Sequence, residues 1–324
     1  MTALRPALDR TDPEGAIAAA AKRCSNTGRW GSEDVRGTLN FLTPQARVRA
    51  AALVRQGVTF SLAQAFDEHG PQRGWRRRTN PVHSMTDTGT DAERGVQGFP
   101  HGFGGADDVV AMPLQCSTQW DGLGHIFDHG AAYNGRRAGD VVTSAGDAVT
   151  GIETAAALIA GRGVLLDVGR VVGGGELPDG FAITPEHLDA TAAAHSVTID
   201  EGDIVCVRTG RLTRARRDGW GEYAGGDSPG LSFLSADWLH GSRIAAIATD
   251  TWGFEVRPNE FDDAFQPLHQ VVIPHIGLYV GEMWDLDELA EACAADGTYA
   301  FWLTAVPIPF TGAVGAPVNP LAVK

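Results

Sequence analysis

Asp121 and His125 stand four residues apart in CSTQWDGLGHIF (116–127), and the glycines between them let the backbone turn closely enough for both side chains to face one centre. A carboxylate and an imidazole so placed can hold a divalent cation, or can simply hydrogen-bond to each other. Where a metal loop would offer a second histidine, the chain has Gln119. In PLHQVVIPHIGLYVGEMWDLDELA, His269 precedes one apolar run and Glu282 follows another, so a hairpin-like excursion would return the glutamate towards the histidine. Glu282 reads equally well as negative charge ahead of a helix N-terminus. In TNPVHSMTDTGTDAERG, His83 sits in a polar loop, a common setting for a surface histidine.

The basic run RGWRRR (73–78) fits a solvated loop or a guanidinium clamp for an anionic substrate or partner. Cys24, Cys116, Cys206 and Cys293 form no CxxC pair, so neither a thiolate zinc site nor a disulfide framework is expected. Cys116 adjoins the first motif and reads as a small buried hydrophobe rather than a nucleophile.

The elements that must position these residues are legible in outline. Helices are expected over 12–24, 43–57, 151–160, 184–195 and 284–296, two of them from a Thr-Pro start in which threonine caps and proline takes the first helical position. Strands are expected at 58–62, 108–114, 163–168, 203–209, 243–249, 269–274 and 301–308, all short and rich in β-branched residues. Their alternation indicates one α/β or α+β domain, with no linker dividing it. The stretches 64–107 and 210–235 are too long for plain connections and read as lids or binding loops.

Among the 324 residues, 43% are hydrophobic and 20% charged, as in a globular protein. A net charge of −14 disfavours nonspecific binding to nucleic acid or anionic membrane. No apolar leader core opens the sequence and no segment reaches the roughly 18 apolar residues of a spanning helix, so a cytoplasmic protein with a small-molecule substrate is expected.

Taken in order, CSTQWDGLGH, YNG (133–135), GRGVLLDV (161–168), GDIVCVRTG (202–210), TDTWGFEVRPNE (249–260) and LHQVVIPHIGLYVGEMWDLDELA (268–290) resemble the cyclase family of metal-dependent hydrolases. That family includes bacterial kynurenine formamidase and isatin hydrolase. Its signature, His-x-Gly-Thr-His-x-Asp-x-Pro-x-His, laid to end at His125, puts its Asp on Asp121, its Thr on Thr118 and its two early histidines on Gln119 and Gln115. The glycine becomes Ser117 and the proline Leu123. The family's downstream His and Glu fall on His269 and Glu282, one residue further apart than expected, which leaves room for a small bulge.

The resemblance implies a central mixed β-sheet or barrel-like core flanked by helices, with residues 1–60 as a helical segment packed on a hydrolase unit of residues 61–324. It implies a divalent ion, manganese or zinc, held by Asp121, His269 and Glu282 with Gln119 and Gln115. Carboxamide oxygens in place of imidazoles would move preference towards oxygen-loving ions or leave the centre weak or absent. His125 would be the general acid/base, with Asp121 and Glu282 in the catalytic set. His83, Trp120, Phe127 and Trp252 would face the substrate. The implied reaction is hydrolysis of a cyclic or aryl amide, imide or lactone, by a homodimer or homotetramer. A metal-independent cyclase, dehydratase or isomerase, and a non-catalytic small-molecule binding protein, stay open as alternatives.

Overall fold

The computed structural model describes residues 8–324; residues 1–7 of the expected N-terminal segment lie outside the described residues. Ala160–Asp167, Ile204–Arg208, Ala246–Thr249 and Tyr279–Glu282 lie side by side as parallel strands. Their side chains alternate between two cores. Val164, Leu166, Val205, Val207 and Ile247 enter one core, and Leu165, Ile204, Cys206, Ala246 and Ala248 enter the other. A strand buried on both faces reads as an unbroken apolar run, which is why the first three were visible in sequence; Tyr279–Glu282 was not among the expected strands.

Antiparallel strands extend the sheet on both sides. Gln119–Asp121 and then Gly315–Pro317 follow Tyr279–Glu282, while Ala300–Thr304, Leu321–Val323 and Thr59–Ser61 follow Ala160–Asp167. The result is the expected mixed sheet in a single domain, nine strands wide, with helices packed against it. Helix Pro13–Arg23, capped by the Asp12 carboxylate accepting from the Gly15 N–H, buries Ile17 and Ala20 in the first core. Helices Pro185–Ala194 and Asp287–Asp296 form close to their expected limits. No helix among the described residues is long and apolar enough to cross a membrane.

Four local expectations are corrected. The helix expected over 43–57 ends at Ala51, because the chain must leave it to reach the sheet edge at Thr59. The alanine-rich 151–160 gives only a short 3-10 turn, Ile152–Ala155; its apolar residues are spent on the second core and Ala160 already belongs to a strand. The strand Asp107–Ala111 joins no large sheet. It pairs with Val82–Asp87 to form a two-stranded arm that fills much of the supposed 64–107 loop, just as helix Arg211–Asp218 fills part of 210–235.

The fourth correction bears on the site. Residues 269–274 are helical: Pro267–Val271 forms an α-turn that widens into a π-helical turn over Val272–Ile276. Nearly all of this segment is buried, so it shows no amphipathic period, and a short β-branched apolar run cannot then be told from a strand. Gly277, at φ 74°, ends the turn in a left-handed conformation that favours glycine and starts the chain into Tyr279–Glu282. No bulge interrupts that strand's register; the wide turn sits in the helix instead.

Candidate metal centre

Gln119–Asp121 pairs with Tyr279–Glu282 so that Gln119 lies opposite Glu282 and Asp121 opposite Val280. Side chains alternate along a strand, so Gln119, Asp121 and Glu282 share one face and Trp120 takes the other. Trp120 enters the second core, edge-on to Trp284 at 4.9 Å, and donates its indole N–H to the Ala305 carbonyl at 2.7 Å. Gly281 beside it makes the room, since a Cβ there would meet the Trp120 ring at 3.0 Å. The expected place of Trp120 on a substrate wall is therefore corrected: strand alternation makes it a core residue.

His269 arrives from the buried helix and is aimed by Glu255. That carboxylate accepts from the backbone N–H groups of Leu268 at 3.1 Å and His269 at 3.0 Å, and from His269 Nδ1 at 2.5 Å. It thus satisfies two amides of the helix's first turn and leaves Nε2 facing Glu282 Oε1 at 3.1 Å. On the other side, the Thr118 hydroxyl donates to the Met283 carbonyl at 2.6 Å, tying the two strands together next to Glu282.

Asp121, His269 and Glu282 are all buried, and each offers a ligand atom within 4.8 Å of the others. The Gln119 amide nitrogen donates to Asp121 Oδ1 and to Glu282 Oε2, both at 3.1 Å, while its Oε1 is buried without a partner. His125 Nε2 lies 3.8 Å from Asp121 Oδ1, and His125 Nδ1 is also buried without a partner.

Charge follows from this crowding. Burial raises the Glu282 carboxyl above its ordinary range and the nearby Asp121 adds to it, against the pull of His269 and Arg78. Burial opposes a charged His269, but Glu255 and Glu282 override it and raise the imidazole to about 9. Burial pushes His125 down to about 4, with Asp121 opposing, so this ring is neutral near neutral pH.

The donor set fits a divalent cation. Two buried, mutually repelling carboxylates and an imidazole are what such an ion would neutralise, and the Gln119 amide, turned over, would point its unpartnered oxygen at the same place. An oxygen-rich set of this kind suits manganese-like ions better than zinc.

The other expected residues fall in different places. Phe127 and His125 line a cleft of about 310 Å³ together with Arg76 and Phe265. Trp252 is buried in a third apolar cluster with Met283, its N–H on Gln72 Oε1 at 3.3 Å, and it does not line that cleft. Gln115 has its side-chain nitrogen against Gly315 and makes no hydrogen bond to the carboxylates. His83 is exposed on the arm, paired with Asp108 at 2.8 Å, and is not brought to the cluster. Sequence reasoning missed Glu255, which lies inside the quoted TDTWGFEVRPNE but 14 residues from the histidine it holds, with no local spacing to betray it.

The Cyclase family model matches residues 45–256. Among solved structures, one described as a novel cyclase is 38% identical, with a TM-score of 0.86, covering 94% of this chain and 99% of its own. Isatin hydrolase A from Labrenzia aggregata, bound to benzyl benzoate, is 18% identical with a TM-score of 0.58 over 84% of this chain and 94% of its own. Isatin hydrolase A from Ralstonia solanacearum is 17% identical with a TM-score of 0.60 over 86% and 96%. These two share the fold. No curated protein matches the chain in sequence.

Proposed function

Since the chain belongs to the Cyclase family, we propose that it hydrolyses a cyclic or aryl amide, imide or lactone with the help of a divalent metal ion. The observation that carries this reading is the buried triangle of Asp121, His269 and Glu282. These three would hold the ion, with Gln119 beside them. When bound, the ion supplies Lewis acidity, lowering the pKa of a water and polarising the scissile carbonyl.

The chain's own residues do the rest. Glu255 locks the His269 ring so that Nε2 faces the centre. His125, neutral near pH 7 and with Nδ1 unpartnered, takes a proton from the attacking water and returns it to the leaving nitrogen or oxygen. Water adds to the carbonyl carbon, the C–N or C–O bond breaks, and a carboxylate results together with a free amine from an amide, a carboxamide from an imide or a hydroxyl from a lactone. Phe127, in the same cleft as His125, gives the flat part of the substrate an apolar wall.

A second reading draws on Gln119. Its amide nitrogen already bridges the two carboxylates, as a metal-free cyclase, dehydratase or isomerase would need, with His125 as base and Asp121 or Glu282 orienting it. Elemental analysis of protein purified without a metal-affinity column separates the two. The hydrolase reading expects a bound divalent ion and turnover of a lactone or amide panel; metal-free protein with full turnover would overturn it. Asp121→Asn and His269→Ala should each lower that turnover by roughly a hundredfold or more with the fold intact. We also place the protein in the cytoplasm as a homodimer or homotetramer.

A further inference from the structure

Many arginines in this acidic chain are paired with carboxylates. Arg162, Arg170, Arg208, Arg211, Arg214, Arg216 and Arg217 all meet carboxylates. Three arginines around the cleft do not: Arg76, Arg78 and Arg257 have no carboxylate within 4.0 Å among the described residues. Arg76 lines the cleft beside His125, held there by two successive left-handed residues, itself at φ 50° and Arg77 at φ 61°. Arg78 is only 7% exposed, with its guanidinium 5.3 Å from the centre of the Trp252 ring. Arg257 lies 5.6 Å from the rings of both Trp75 and Phe265, the latter a wall of the cleft, and its Nη1 is buried without a partner.

The buried Nη1 of Arg257 is a donor left unsatisfied, which is unfavourable unless a ligand supplies the acceptor. Glu255 and Asp227 act on Arg257 only through space, with neither within ion-pair distance, and Arg76 stands exposed at the cleft without a carboxylate partner, so both guanidinium groups keep donors free for a ligand.

Resting on the hydrolase reading, we propose that the substrate carries its own carboxylate on the aryl or cyclic body. Arg76 and Arg257 hold that anion at the cleft mouth, Phe127 and Phe265 flank the flat ring, and the scissile carbonyl is presented to His125 and the centre. Guanidinium groups suit this task because they offer paired donors to a planar anion while stacking on aromatic rings.

Binding of benzenesulfonate, a poor metal ligand, against its neutral analogue methyl phenyl sulfone tests the proposal by calorimetry on the protein with its native metal content. The wild type should favour the sulfonate by about tenfold or more at low salt, with the preference shrinking as salt rises. Arg76→Gln, at an exposed position where folding is not at risk, should bring the two probes to near parity with metal content unchanged, and Arg76→Lys should keep part of the preference. Equal binding of the probes to the wild type, or an unaltered preference in Arg76→Gln, would overturn the anion subsite. Either result leaves the hydrolase reading standing if the lactone and amide panel is turned over. A preference for the sulfonate in metal-free, inactive protein would keep the subsite and sink the hydrolase.

Discussion

At the scale of single residues, Gln119 decides which ion the centre takes. It stands directly opposite Glu282 in the ladder, its amide in contact with both carboxylates, so a side chain of similar reach there points at the same spot. Gln119→His replaces a carboxamide with an imidazole, and zinc affinity should then rise well above that for manganese, following the ligand preferences of nitrogen-richer sites. Competition titrations on the parent and the variant, with Gln115 untouched, measure this. An unchanged zinc-to-manganese preference would mean that Gln119 does not face the ion.

At the scale of elements, the short buried helix Pro267–Val271 and the loop that carries Glu255 act as one part. The carboxylate satisfies the first helical amides and fixes the imidazole in the same contact, so helix geometry and ligand orientation stand or fall together. Glu255→Gln keeps the shape but loses the charge and one acceptor oxygen. Manganese affinity, followed by titration, should weaken by roughly 10–100-fold while far-ultraviolet dichroism stays the same. Unaltered affinity would leave Glu255 a purely structural cap. A different element carries a pH signature. His195, at the end of helix Pro185–Ala194, stacks on Tyr299 with ring centres 3.6 Å apart, and burial lowers its pKa below the ordinary 6.5. The unfolded chain then binds the proton more readily, so the stabilising contribution is present above about pH 6.5 and is lost as pH falls. His195→Phe keeps the stacking and cannot be protonated. Its melting temperature should therefore gain on the wild type between about pH 7 and about pH 5, and parallel curves would refute the assignment.

At the scale of the whole molecule, the two-stranded arm is the part that the single chain leaves unsupported. Val82, Met85, Val109 and Val110 are all about half exposed or more, with the strand residues open on both faces. An isolated hairpin is marginally stable in water, and an exposed apolar surface of this kind marks an interface. A second copy of the chain is the proposed cover, in keeping with the homodimer or homotetramer. Val109→Lys with Val110→Lys should shift the protein to monomer in light scattering coupled to gel filtration, and a wild type that is already monomeric would remove the proposal.

The sequence by itself determined three of the four central strands, the Thr-Pro helix starts and the family, because each is written in contiguous residues: unbroken apolar runs, a cap followed by proline, a loop motif. It also supplied Asp121, His269 and Glu282 as candidates. Only the tertiary structure decided that these three meet, since the pairing of Gln119–Asp121 with Tyr279–Glu282 joins residues more than 150 positions apart. The same ladder removed Trp120 from the substrate side, because alternation cannot be assigned to a face until the partner strand is known. Residues 269–274 misled for a related reason. A helix buried all round loses the polar face that gives a helix its period, so its β-branched residues read as a strand. Glu255 and Arg257 were invisible as site residues because their roles depend on what the folded chain brings to them, a histidine in one case and a cleft wall in the other, whereas Arg76 already stood in the basic run 73–78 that reads as a solvated loop or a guanidinium clamp.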